Sequence, residues 1–237
     1  MTIRSVIVTG GVSGMGRATS ERLTGAGHHV AVFDRDAKGI RALADDGRDG
    51  RLTYHQLDVT DFPAVERAVN EVAAQPAGLD ALVACAGIHD RAALSEGDTE
   101  RWKDVLLVNV LGVATCVRAC LPHLLQRDRA DVIIWGSVSG LVPYTHESIY
   151  AASKAAVTHL ADCLRLEVAT TNVRVAVIHP GLVDTPMTRG NPAATAMLES
   201  FDPVLPENIA RCAEFILDQP DNCSISELIL RAANQAM

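Results

Sequence analysis

Short apolar runs alternate along the chain with longer stretches in which apolar residues recur at helical spacing. The runs cover residues 5–8, 29–33, 52–57, 81–84, 131–135 and 173–178. Past the first residue four of the six are continuously apolar, the pattern of strands covered on both faces in a parallel sheet. The segments between them, 14–26, 36–46, 61–75, 100–126 and 148–170, carry the 3.6-residue period of amphipathic helices. A helix near 206–218 and a strand near 225–231 close the pattern. Strands alternating with helices predict βαβ units with right-handed crossovers: an α/β fold on a doubly wound parallel sheet of about seven strands, with helices on both faces. No repeat or low-complexity linker interrupts the pattern, so residues 1–237 are expected to form one domain.

Composition narrows the function. A net charge of −8 without clustered Lys or Arg excludes a nucleic-acid or anionic-membrane surface. The first apolar run begins at Ser5, without a charged segment, long apolar stretch and cleavage site before it. The apolar runs are shorter than a bilayer span, so a cytoplasmic protein with no membrane partner is expected. The six cysteines show no CxxC spacing or Cys/His cluster. They are read as reduced core thiols, and no metal is expected.

In a doubly wound sheet ligands bind beyond the carboxyl ends of the strands. Those ends carry a glycine-rich turn at 10–16, Asp34, Asp58, Ala86-Gly87, Ser137 and Pro180-Gly181. The turn, Thr9-Gly10-Gly11-Val12-Ser13-Gly14-Met15-Gly16, opens the first helix, where backbone N–H groups and the helix dipole suit a pyrophosphate. Its spacing is G-x-x-x-G-x-G, not G-x-G-x-x-G. Asp34, eighteen residues after Gly16, can accept hydrogen bonds from ribose hydroxyls. A 2′-phosphate charge 4 Å from that carboxylate would be repelled by roughly 1–4 kcal/mol, so NAD is expected over NADP. Arg35, next in the chain, could turn toward such a phosphate.

Tyr150-Ala151-Ala152-Ser153-Lys154 places a phenol and an ammonium on one helix face, with Ser137 thirteen residues before Tyr150. A nearby cation favours phenolate, so Lys154 is expected to draw Tyr150 down from the ordinary pKa of about 10. Such a phenol can exchange protons with an alcohol oxygen, with Ser137 hydrogen-bonding the same oxygen.

These residues resemble the short-chain dehydrogenase/reductase family in its compact single-domain form, almost end to end. The matching positions are the glycine turn, Leu57-Asp58-Val59, Ala86-Gly87, Asn109, Ser137, Tyr150 with Lys154, and residues 180–185. The resemblance implies a Rossmann-type fold and a catalytic tetrad of Asn109, Ser137, Tyr150 and Lys154. It implies cofactor contacts from Gly10, Val12, Ser13, Gly14, Met15 and Gly16, with Asp34 on the ribose and Lys154 on the nicotinamide ribose. Asp58 and Val59 would flank the adenine, with Ala86, Gly87 and Tyr150 also lining the cofactor site. Pro180, Gly181, Val183 and Thr185 would cover the nicotinamide. Asn109 would anchor a water linking Lys154 to solvent. Two departures stand out: Ala84-Cys85 where the family often has paired asparagines, expected to affect stability, and Gly136 where a serine is common.

Substrate contacts are expected from His89, Ser139, Leu141, Tyr144, His146 and Met187, and from the apolar loop near 186–204. Arg189 in that loop is a candidate for a substrate carboxylate. The expected reaction is NAD-dependent interconversion of a small or medium secondary alcohol and its ketone, in a homodimer or homotetramer. The competing readings are an NADP-preferring ketone reductase, a non-catalytic NAD-binding sensor or scaffold, and a sugar-nucleotide epimerase or dehydratase, disfavoured by the short chain.

Overall fold

The computed structural model describes residues 2–44 and 50–234. Seven strands among them form one parallel sheet in the order β3-β2-β1-β4-β5-β6-β7. They are β1 (Ser5–Thr9), β2 (His29–Asp34), β3 (Leu52–Gln56), β4 (Ala81–Ala84), β5 (Ala130–Trp135), β6 (Val173–Pro180) and β7 (Glu227–Leu230). β1 pairs with β2 on one side and β4 on the other, so Val8 lies between Val32 and Val83. The strand order reverses at this point, and a crevice opens beyond the strands' carboxyl ends.

Successive strand residues face opposite sides, which divides the core into two layers. Ile7, Phe33, Leu82, Ile134 and Val177 pack under α3 (Phe62–Ala73), α5 (Val113–Leu124) and α6 (Ser148–Glu167). Val8, Val32, Val83, Ile133 and Ile178 pack under α1 (Gly14–Gly25) and α9 (Pro206–Leu217). Burying each such side chain contributes about 1.5–3 kcal/mol, which is why β1, β2 and β4 carry no polar residue between their ends. Charge is placed at the amino ends instead. Asp131 is paired with Arg4 and Arg174, and Asp80 accepts from the Ser5 amide at 2.8 Å. This cluster fastens the sheet on the side away from the crevice.

Three segments differ from the sequence expectation. The helix expected over 100–126 is α4 (Thr99–Leu106), a π-helical turn over Leu107–Gly112, and α5. Gly112 lies where a Cβ would come 2.8 Å from Val59 Cγ2, so the turn presses against the strand-end loop. The helix expected over 36–46 is α2 (Ala37–Ala44), with residues 45 and 46 outside the described residues. The loop after Thr185 holds α7 (Pro186–Arg189) and α8 (Pro192–Leu198), capped by the Thr185 and Asn191 side chains. By length and composition Thr99–Leu124 could cross a bilayer, contrary to the expectation that no segment is long enough. Half of it is buried inside the fold, where α5 packs on α3 and on the sheet, as in a core helix.

Candidate active site

The cofactor end is built where β1 gives way to α1. Gly10 takes φ +67, and a Cβ there would stand 2.9 Å from Ala86 Cα. At Gly16 a Cβ would stand 2.2 Å from the Gly10 carbonyl oxygen, so glycine is required for the turn to close. The Thr9 hydroxyl accepts hydrogen bonds from the Cys85 and Ala86 amides at 3.1 and 3.0 Å. It ties β1 to β4 at the level where the family's asparagine is missing.

Asp34 is joined to the same turn: Oδ2 accepts from the Val12 amide at 3.2 Å and Oδ1 from the Asp36 amide at 3.0 Å. Arg35 turns toward Asp58, with Nη1 3.6 Å from Oδ2. Burial pushes the Asp58 carboxyl up, but the Thr60 amide and hydroxyl, at 2.9 and 2.7 Å, together with Arg35 hold it below the usual value. A cleft of about 290 Å³ runs past Gly10, Val12, Ser13, Gly14, Met15, Gly16, Asp34, Asp58, Val59, Ala86, Gly87 and Thr185. Cys85, Ile88 and Val108 line it too, and none of the three is among the expected cofactor contacts.

A second cleft, of about 360 Å³, is lined by Ser137, Ser139, Tyr144, Tyr150, His89 and Met187, with Pro180, Gly181 and Val183. Met15, Thr185 and Met187 line both clefts, which therefore meet there. Ser137 caps a 3₁₀ turn over Val138–Gly140, its Oγ accepting from the Ser139 amide at 3.1 Å. Leu141 and His146 fall outside the cleft, correcting their expected role. Leu141 follows the turn and is exposed, and His146 takes φ +64 at the surface while Glu147, next in the chain, faces inward.

Tyr150 lies in the first turn of α6, with the His89 ring edge-on at 4.4 Å between centroids. Lys154, one turn on, is buried and donates from Nζ to the Trp135 carbonyl at 2.8 Å, 5.9 Å from the Tyr150 ring centre. Burial pushes the phenol up to about 12, against a hydrogen bond with Ser137 that lowers it and a Glu147 charge that raises it further. Burial likewise drives Lys154 down to about 8. The expected lowering of Tyr150 by Lys154 is therefore absent in this state: the ammonium is turned to a carbonyl, and desolvation dominates.

The Lys154 shift has a measurable consequence. Below pH 8 the folded chain bears the cost of burying the ammonium, while between about 8 and the ordinary 10.5 the unfolded chain binds more protons. Stability from this group therefore rises with pH across that window. Tyr150 acts oppositely, but only between its ordinary 10 and about 12. The melting temperature of wild type minus that of Lys154→Met is expected to rise from pH 8 to 10; a flat difference would contradict the burial assigned to Lys154.

Asn109 sits in the π turn, a common device for aiming a side chain. Its Oδ1 accepts from the Ile88 amide at 2.8 Å, and Nδ2 donates to the Ile88 carbonyl at 2.9 Å and to Ser153 Oγ at 3.0 Å. Ser153 in turn donates to the Tyr150 carbonyl at 2.6 Å. Both amide hydrogens are thus committed to protein, and the side chain braces α6 against the β4 loop where a water anchor was expected.

Two functional candidates escaped the sequence reading. Glu147 accepts from Arg91 Nη1 at 2.8 Å and from Ser139 Oγ at 2.9 Å, with His89 Nε2 at 3.6 Å. Burial pushes its carboxyl up, but hydrogen bonds from His89 and Ser139 with the Arg91 charge hold it below the usual range. Buried His179 fills the space a side chain at 136 would need: a Cβ on Gly136 would lie 2.6 Å from its Nδ1, accounting for the glycine there. Arg189 lies outside the second cleft, held by Asp184 through two 2.7 Å hydrogen bonds.

A parallel sheet with a glycine turn at its switch point and a Ser–Tyr–Lys group beyond it defines a nucleotide-dependent oxidoreductase architecture. The chain belongs to the short chain dehydrogenase family, whose signature matches residues 4–196. It is 34% identical over 223 residues to cis-4-hydroxycyclohexanecarboxylate dehydrogenase of Sinomonas cyclohexanicum, covering 90% of this chain and 88% of that one. It is 33% identical over 187 residues to meso-2,3-butanediol dehydrogenase of Serratia marcescens, covering 79% and 74%. Among solved structures, the closed form of serine dehydrogenase complexed with NADP+ superposes with a TM-score of 0.93 at 27% identity, covering 98% of this chain and 96% of that one.

The residues fit a dinucleotide of the NAD(P) type used by this family. The turn is confined to glycine at 10 and 16, and a Cβ at Gly14 would stand 3.4 Å from Thr185, narrowing the gap between the turn and Thr185.

Proposed function

We propose that the protein is an NAD-dependent oxidoreductase interconverting a small or medium secondary alcohol and its ketone. The observation that carries this reading is the junction of the two clefts, with Tyr150 and Ser137 lining the second where Thr185 and Met187 border both. Bound NAD supplies the hydride acceptor. Gly10 to Gly16 would hold its pyrophosphate, Asp34 its adenosine ribose, Asp58 and Val59 the adenine, and Ala86, Gly87, Lys154, Pro180, Gly181, Val183 and Thr185 the nicotinamide half.

Tyr150 moves the proton and Ser137 holds the substrate oxygen. A phenol pushed up to about 12 is protonated at neutral pH and ready to donate to a ketone. Alcohol oxidation requires the phenolate, and the Lys154 ammonium, once released from the Trp135 carbonyl, is the protein's own means of stabilising it. Asn109 keeps Tyr150 in place through Ser153.

The choice of NAD rests on Asp34, whose carboxylate lines the cleft. Arg35 and the NADP+ carried by the serine dehydrogenase structure favour the opposite choice. Steady-state kinetics with both cofactors decide between them. Wild type is expected to show the higher kcat/KM with NAD, and Asp34→Ala to move the ratio toward NADP by about tenfold or more. Equal kcat/KM for both cofactors in wild type would overturn the assignment.

The reading takes the chain as one cytoplasmic domain with its substrate loop near 186–204. It also takes it as a homodimer or homotetramer: Leu106, Leu107, Leu111, Leu125 and Leu166 are exposed along the stretch from α4 to α6, apolar side chains that a second copy would cover.

A further inference from the structure

The second cleft holds a positive charge that neither the proton transfer nor the cofactor uses. Among the described side chains lining it, Arg91 carries the one permanent cation. A guanidinium has five N–H donors in a planar fork. Among the described residues the hydrogen bond made by this one runs from Nη1 to Glu147 Oε1 at 2.8 Å. Glu147 is differently placed: Oε1 is taken by Arg91, Oε2 by Ser139, and His89 stands 3.6 Å away. The unspent hydrogen-bonding capacity of the pair lies on the cation, and Glu147 fixes that cation's orientation. Through Glu147 and His89, Arg91 is linked to the ring of Tyr150. Arg189, the other arginine close by in sequence to this pocket, has its charge met by Asp184 and Glu199.

We infer that Arg91 docks a carboxylate on the substrate, so that the alcohol is a hydroxy acid and the ketone the corresponding keto acid. The inference builds on the proposed alcohol–ketone reading of the pocket and specifies its substrate class. Charge-assisted, paired N–H donation to a carboxylate is the recognition a held guanidinium offers best. Glu147 does not cancel it, because a planar fork can serve one carboxylate on each edge. Among the remaining walls Met187, Met197 and Ala194 are apolar and suit the carbon skeleton between the carboxylate and the carbinol, beside the polar Tyr144, Thr145, Thr188 and Asn191.

The test separates binding from turnover. Calorimetry on the NAD-loaded enzyme compares cyclohexanecarboxylate with cyclohexanecarboxamide, for wild type, Arg91→Met and Arg91→Lys. The carboxylate is expected to bind wild type at least about tenfold more tightly than the amide, to lose that advantage in Arg91→Met, and to recover part of it in Arg91→Lys. Equal affinities of acid and amide for wild type, or an acid preference that survives Arg91→Met, would overturn the inference. Turnover of 4-hydroxycyclohexanecarboxylate and its methyl ester adds a second readout: a KM increase confined to the acid in Arg91→Met supports it, and an equal change for both contradicts it. Failure of the alcohol–ketone reading looks different: no alcohol is oxidised, whatever the calorimetry gives.

Discussion

Tyr150→Phe is expected to lower kcat by about 10²- to 10⁴-fold, the usual contribution of a positioned proton donor, while NAD affinity changes little. The substitution removes one oxygen. The ring keeps its half-buried place beside His89, and the first cleft, with the glycine turn and Asp34, is untouched. What disappears is the O–H that would supply or receive the substrate proton. Initial rates at saturating substrate, with NAD affinity measured by fluorescence titration, separate the two effects. Unchanged turnover would remove Tyr150 from the mechanism. A parallel loss of NAD binding would mean that the phenol supports the cofactor and not the proton transfer.

The second large effect is on stability. Asn109→Ala deletes an amide that is fully buried and makes three hydrogen bonds. It leaves the Ile88 amide and carbonyl without their partner in a loop that forms one wall of the cofactor cleft. Leaving a buried polar group unpaired costs about 1–3 kcal/mol, so a total near 3 kcal/mol is expected, with a Tm lower by roughly 6–12 °C for a chain of this size. Thermal unfolding measures it. A change below about 1 kcal/mol would show that water replaces the amide at no cost, and the brace assigned to Asn109 would fall.

The sheet was readable because burial on both faces leaves continuous apolar runs, and a run such as 131–135 has no other simple explanation. The glycine turn and the Tyr150–Lys154 spacing were readable for a similar reason: each is a local pattern with a local geometric consequence. The π turn was not, since Leu-Val-Asn-Val-Leu-Gly over 107–112 satisfies helical spacing whichever way the turn is wound. The short helices over 186–189 and 192–198 did leave a signal, Thr185-Pro186 and Asn191-Pro192, each a cap residue before a proline at the first helical position. They span too few residues to show a period.

Long-range charge pairing left no such trace. Arg91 and Glu147 meet across 56 positions, and Arg4 and Asp131 across 127. Sequence spacing brings Lys154 to the face of Tyr150 but says nothing of the solvent around them. Desolvation reverses the expected shift of the phenol, and the packing that imposes it, His89 edge-on to the ring included, is something only the fold assembles.

The central claim is that this pocket transfers hydride between NAD and a secondary alcohol. Following NADH absorbance at about 340 nm over a panel of secondary alcohols and hydroxy acids tests it most directly. The account predicts NADH formation with matching ketone product for at least one member of the panel, abolished in Tyr150→Phe. Saturable dinucleotide binding with no absorbance change in either direction across the panel would contradict it and leave a nucleotide-binding module in its place.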